Sequence, residues 1–274
     1  KKTNITPTKF IMIGLFLGEK DLPIQILKKI ESKKLNYFII DLTKNNKFKK
    51  KKNSFFINIG KFGEILKIIQ SKKCKKVIFA GNIIKPTISK LKLDLKGLFY
   101  IPRIVKASKL GDAAILKVLI KILSENKIKV IKLNTFNPEL TLKKGIYTKI
   151  RPTFLEKEEI VKGVKTLKKI NSYNHTQGII IRDNKIISRE SRKGTEEMIK
   201  SIPKSKIKKG ILIKLPKAKQ DLRVDLPTIG IDTFKDCNKA GIKGIVVKAN
   251  QNILLNKELS IKYANQNKLF LVAV

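Results

Sequence analysis

The sequence predicts an α/β protein of two domains, a small doubly wound N-terminal one and a C-terminal one with a mixed sheet. Three observations lead there. In the first half, strand-length apolar runs alternate with segments of helical apolar spacing, the pattern of a parallel sheet covered by helices. Between Asn134 and Thr153 the periodicity fades, and Pro138, Gly145 and Pro152 appear. Further on, two apolar runs separated by Asp183-Asn184 read as a hairpin, which puts antiparallel pairing into the second sheet. The 274 residues, 42% of them hydrophobic, suffice for two modest cores. The expected division is 1–136, a linker over 137–153, and 154–274.

In chain order, Phe10–Leu17 reads as a buried parallel strand, Gly18–Asp21 as a turn, and Leu22-Pro23 as a helix start with Pro in its first turn. Tyr37–Asp41 is the next strand and Thr43–Asn53 a Lys/Asn-rich loop. Phe62–Ser71 has helical spacing, and Val77–Asn82 is a strand ending in a Gly-Asn turn, with Pro86 beyond. Gly111-Asp112 opens a helix running to about Asn126, with Asp112 in a capping or first-turn role. Lys129–Leu133 is the last strand of a Rossmann-like domain.

The second half begins with a helix over Glu156–Ile170, followed by the hairpin of Ile179–Ile181 and Ile186–Ser188. Gly194-Thr195 enters a helix, either as a plain cap or as an anion-binding N-terminus beside Arg192 and Lys193. Gly210–Leu215 is a strand, and Thr233–Ala240 a helix closed by Gly241. Ile242–Val247, Ile253–Leu255, Lys257–Asn267 and Leu269–Val274 finish as strand, short strand, helix and strand.

The stretch Lys219–Gly230 carries two carboxylates and a guanidinium at alternate positions. In an extended chain Asp221, Arg223 and Asp225 share one face, with Leu222, Val224 and Leu226 on the other. Pro227 would end that strand and leave the polar triplet at a cleft. The competing interpretation is an edge strand with a solvated charged face.

Composition narrows the chemistry. Lys and Arg number 62 against 21 acidic residues, a formal +41 that attracts phosphates, nucleic acids and anionic membranes without choosing among them. The lysines are spread through every segment, as in a global compositional bias. Cys74 and Cys237 lack metal-ligand spacing, and the single His175, expected in a surface turn with nothing nearby to tune it as a base, argues against a Ser/His/Asp triad. What remains is carboxylates, Lys, Arg, amides and backbone N–H groups, so hydrolysis with carboxylate-held Mg²⁺ stays open. The early apolar run is too short for a membrane span or signal peptide, which suggests a cytoplasmic protein.

Several blocks, in order, resemble the non-calcineurin-like UDP-2,3-diacylglucosamine pyrophosphatase family of lipid A biosynthesis. They are Ala80-Gly81, Gly111-Asp112, Gln177, Glu190-x-x-x-Gly194-Thr195-Glu196, Lys214–Gly230, Ala240-Gly241-x-x-Gly244-Ile245 and Leu269–Val272. The resemblance covers the chain after Thr8. Two of the family's three glycines at the first turn are Glu19 and Lys20 here, which weakens the case for a nucleotide approaching the backbone at Gly18. An acid that often precedes the Gly-Thr is Lys193.

The resemblance implies cleavage of UDP-2,3-diacylglucosamine to UMP and 2,3-diacylglucosamine 1-phosphate, with Mg²⁺ as the metal, by a nucleotide-binding first domain and a catalytic second one. It implies Asp225 as metal ligand or water-orienting base, with Asp221 as helper. Arg223 and Lys214 would clamp phosphate, and Gln177, Gly194, Thr195 and Thr228 would contact substrate. Gly81-Asn82 and Gly111-Asp112 would meet the substrate across an interdomain cleft. The partner surface is then the anionic inner face of the inner membrane, with peripheral attachment and a homodimer as the oligomeric option; no specific nucleic acid is expected. The alternatives are a non-catalytic nucleotide-sugar binder, or a basic nucleic-acid-binding protein for which the charge is the sole argument.

Overall fold

The computed structural model describes residues 11–83, 91–173, 176–205, 207–218 and 220–274. Phe10, Pro86, His175 and Lys219, which entered the sequence reading, lie outside them. The chain divides into two compact units, Lys1–Asn137 and Pro138–Val274.

Unit 1 runs β1 (Ile13–Leu17), α1 (Leu22–Ser32), β2 (Tyr37–Asp41), β3 (Ser54–Phe56), α2 (Phe62–Ser71), β4 (Lys76–Ala80), α3 (Leu95–Ser108), α4 (Asp112–Glu125) and β5 (Lys129–Val130). Its strands make one parallel sheet in the order β3-β2-β1-β4-β5. This is the expected doubly wound arrangement, with the connections reversing direction between β1 and β4. Every residue of β1 is buried, as a central parallel strand covered on both faces requires. α1 buries Ile26, Leu27 and Ile30, and α2 buries Phe62, Ile65, Leu66 and Ile69, each set on one helical stripe.

α3 had no counterpart in the sequence reading. Gly97 and Pro102 lie inside it, and its Leu95, Leu98 and Phe99 are exposed, so no clean apolar stripe marks it. Asp94 makes it possible as N-cap: its carboxylate accepts from Gly97 N (2.7 Å) and reaches across to Glu64 N (2.9 Å).

Unit 2 contains β6 (Gly145–Ile146), α5 (Phe154–Tyr173), β7 (Gly178–Arg182), β8 (Lys185–Arg189), α6 (Thr195–Lys200), β9 (Ile211–Lys214), β10 (Thr228–Ile229), α7 (Ile231–Lys239), β11 (Gly244–Val247), β12 (Ile253–Leu254), α8 (Lys257–Gln266) and β13 (Phe270–Ala273). The sheet is mixed, as expected, in the order β6-β13-β11-β9-β7-β8. β9, β11 and β13 run parallel, while β7 runs antiparallel to β9 and forms the hairpin with β8. Asp183 and Asn184, at φ 49° and 59°, form the left-handed tip of that hairpin. Two clusters of buried side chains pack unit 2, one including Ile180, Leu212, Phe234 and Leu271, the other Ile179, Ile213, Val246 and Phe270.

The stretch expected as a linker belongs instead to unit 2. β6 pairs with β13, Thr141 bridges Ile253, and Leu271 N donates to Thr148 Oγ1 (3.0 Å). The segment that carries Pro138, Gly145 and Pro152 folds onto the sheet edge rather than spanning a gap.

Candidate active site at one edge of the unit 2 sheet

Because β7 opposes β9, the start of β7 lies beside the end of β9, with Gly178 in register with Lys214. β8 returns to the same edge, and Glu190 N, just past its end, donates to Gly178 O (2.8 Å). Leu215 N donates to Gln177 O (2.8 Å), closing the edge on the other side. The pairing therefore gathers Gln177, Glu190 and Lys214, far apart in sequence, in one place.

Lys214 and Glu190 form a buried ion pair at 3.4 Å, with side chains only 7% and 6% exposed. Thr195 stands between them: its hydroxyl accepts from the Lys214 ammonium and donates to Glu190 Oε1 (2.5 Å). Thr195 therefore does not cap its own helix, and no side chain caps α6 at Gly194. Gly194 holds φ 91°, and a side chain there would meet nothing within 4 Å. Among the described residues, Glu190 Oε2 and Gln177 Oε1 are buried without a hydrogen-bond partner. Buried polar atoms are nearly always satisfied, so two bare oxygens close together beside a buried ion pair make this edge the candidate site.

The described part of this stretch, Gln220 to Gly230, departs from the expected strand. Val224 N and Asp225 N both donate to Asp221 O (3.2 and 3.0 Å), coiling the segment into a turn. Asp221 Oδ1 accepts from Arg223 N (3.0 Å), and the Arg223 guanidinium folds back with Nε on Oδ1 (3.0 Å) and Nη2 on Oδ2 (2.7 Å). The Asx-type turn outcompetes strand geometry, since Asp satisfies local backbone N–H groups that a ladder would otherwise use. The three polar side chains consequently do not share an extended face. Asp221 and Arg223 pair with each other, and Asp225 stands apart, half-buried, with no side-chain hydrogen bond or ion pair among the described residues.

This turn is rooted at the Lys214 end of β9. Buried Asn171 donates to Pro216 O (2.7 Å) and accepts from Ala218 N (3.0 Å), fixing the exit from the strand. Asn252 donates to Lys214 O (3.1 Å), while its neighbour Ile253 N donates to Pro227 O (2.9 Å) as β10 and β12 pair. Thr228, in β10, turns its hydroxyl to Leu226 O (3.2 Å), a local bond.

The expected residues of unit 1 divide in two. Gly81 and Asn82 follow β4, and Asn82 exchanges backbone hydrogen bonds with Glu19 (2.7 and 3.2 Å), tying together the loops at the sheet's switch point. A side chain at Gly81, where φ is 88°, would come within 2.5 Å of Pro23 Cγ; one at Gly18 would come within 2.3 Å of Asn82 O. These glycines serve the close approach of two loops. Gly111, at φ 97°, is open, since a Cβ at that position would meet nothing within 4 Å, and Asp112 begins α4.

Glu190, Asn171 and Asn252 were absent from the expected site. Glu190 alone had a sequence signal, as the first position of the Glu190-x-x-x-Gly194-Thr195 block.

Among the described residues no group of three or more His, Cys, Asp or Glu converges on a metal position. Mg²⁺ does not need one, because it is commonly held by one or two carboxylates together with substrate phosphates and water. The unengaged, half-buried Asp225 carboxylate fits that sparse kind of site.

The family models of the LpxI N-terminal and C-terminal domains match residues 12–140 and 143–272. A relative from Caulobacter vibrioides, UDP-2,3-diacylglucosamine pyrophosphatase LpxI, is 29% identical over 226 residues, covering 80% of this chain and 81% of its own. With both domains matched in order along nearly the whole chain, the protein belongs to the LpxI family.

Proposed function

We propose that this chain is a UDP-2,3-diacylglucosamine pyrophosphatase of lipid A biosynthesis, releasing UMP and 2,3-diacylglucosamine 1-phosphate. The observation that carries the reading is the buried Glu190–Thr195–Lys214 cluster with a bare carboxylate oxygen, at the root of the turn that presents Asp225.

Phosphoryl transfer depends on positioning and on neutralising charge rather than on a strong protein nucleophile. Lys214 brings a positive charge fixed by Glu190 and Thr195, so it is already desolvated and oriented when a pyrophosphate arrives. Arg223, 45% exposed, has its guanidinium held by Asp221, which keeps a second cation on the loop that follows β9. Asp225 is the carboxylate without another task, suited to orient a water or accept its proton. It would also hold Mg²⁺ together with the substrate phosphates; when bound, that ion would neutralise pyrophosphate charge. Gln177 Oε1 is suited to accept from a hydroxyl or N–H of substrate. The large positive charge would also favour peripheral residence on an anionic membrane face.

The test is incubation of purified protein with UDP-2,3-diacylglucosamine and Mg²⁺. UMP release is expected. Binding of the nucleotide sugar without any UMP would make the chain a non-catalytic binder and overturn the proposal.

A further inference from the structure

We infer that the outward face of α3 is a docking surface for an anionic phospholipid bilayer. The helix is amphipathic in an inverted sense. Gly97, Tyr100 and Ala107 turn inward and are buried, whereas Leu95, Leu98 and Phe99 are 86%, 54% and 71% exposed. With exposed Pro102 they fall at i, i+3, i+4 and i+7, the spacing of a single stripe. At about 100° per residue, Lys106 and Lys109 continue the same side one turn later, and Leu110, 75% exposed, follows directly. The surface thus presents two apolar turns followed by a basic one.

Charge decides the occupant. α3 contains no acidic residue, and the Asp94 carboxylate at its start is taken up by backbone N–H groups. Lys92 and Lys96 add exposed positive charge at the apolar end. A second copy of a +41 chain would set lysines against lysines, whereas an anionic bilayer offers hydrocarbon for the apolar stripe and phosphate for the lysines. The contrast with α5 is instructive. Its exposed Phe154 and Leu155 stand beside an exposed carboxylate, Glu158, where α3 has none. The inference goes beyond attraction by net charge, because it names one helix that enters the lipid, and it stands independently of the hydrolytic reading.

The chain has no tryptophan, so Phe99→Trp gives a reporter with no background. With substrate-free phosphatidylcholine–phosphatidylglycerol vesicles at physiological salt, its emission should shift to the blue and be quenched by brominated lipid. Phosphatidylcholine vesicles should leave it unchanged. Leu98→Ser should weaken vesicle binding about tenfold, and Leu155→Ser by less than about twofold. Three results would overturn the inference: co-sedimentation with unshifted Phe99→Trp emission, vesicle binding indifferent to Leu98→Ser, or a blue shift that grows with protein concentration in the absence of lipid. The last would mean that a second copy covers the face. Since the vesicles carry no substrate, failure of docking and failure of hydrolysis are read separately.

Discussion

Two carboxylates are buried at strand ends, Asp41 closing β2 in unit 1 and Glu190 just past β8 in unit 2. Asp41 is saturated. Its Oδ1 accepts from Thr43 N (2.9 Å) and Thr43 Oγ1 (2.6 Å), and its Oδ2 from Phe48 N (2.9 Å). Glu190 has one oxygen engaged by Thr195 and Lys214 and the other bare. A buried charge with both oxygens answered by its own loop organises that loop. A buried ion pair, by contrast, contributes little net stability, and leaving an oxygen unanswered costs more still, so its retention points to function. The glycines repeat the contrast: Gly81 is crowded by Pro23 and Glu19, and Gly194 faces open space.

The largest effect expected is that of Asp225→Ala. It should lower turnover by about a thousandfold or more while leaving folding and substrate binding intact, because the half-buried carboxylate makes no side-chain hydrogen bond or ion pair among the described residues. Removing a negative charge near the phosphates should if anything tighten binding, which calorimetric titration would read. Next is Gly81→Ala, where backbone at under 3 Å leaves nowhere for a methyl group. A loss of about 3 kcal/mol in urea unfolding is expected, with turnover of the folded fraction unchanged. Asp221→Ala should slow UMP release about tenfold, less than Asp225→Ala, by freeing Arg223 and loosening the turn. The smallest is Gly194→Ala: with space available, only the positive-φ, extended-ψ backbone (φ 91°, ψ −178°) opposes it, at about 1 kcal/mol. Any larger change there should appear in substrate affinity.

The alternation of strands and helices was legible because buried strands and amphipathic stripes are local patterns, and the Asp183-Asn184 hairpin declared itself by residue type. α3 was not legible, since its apolar residues face solvent as well as core. The stretch around Gln220–Gly230 was singled out in the sequence but expected in the wrong geometry. Alternation of charge suggested a strand, whereas the side chain of Asp221 captures the backbone N–H of Arg223 and coils it. Glu190 was read as one position of a motif, without a role. Its burial arises from pairing with β7 and β9, which no local window contains.

The contrast between the two carboxylates is tested most directly by measuring turnover per folded molecule and unfolding free energy side by side for Glu190→Gln and Asp41→Asn. Glu190→Gln is expected to reduce turnover about a hundredfold, because Lys214 and Thr195 lose the charge that fixes them. Asp41→Asn is expected to cost about 3 kcal/mol of stability by turning an N–H toward another N–H at Phe48, with turnover of the folded protein within about threefold of the parent. Near-parental turnover in Glu190→Gln, or an equal loss of turnover in Asp41→Asn, would contradict the assignment of the unsaturated carboxylate to function and the saturated one to structure.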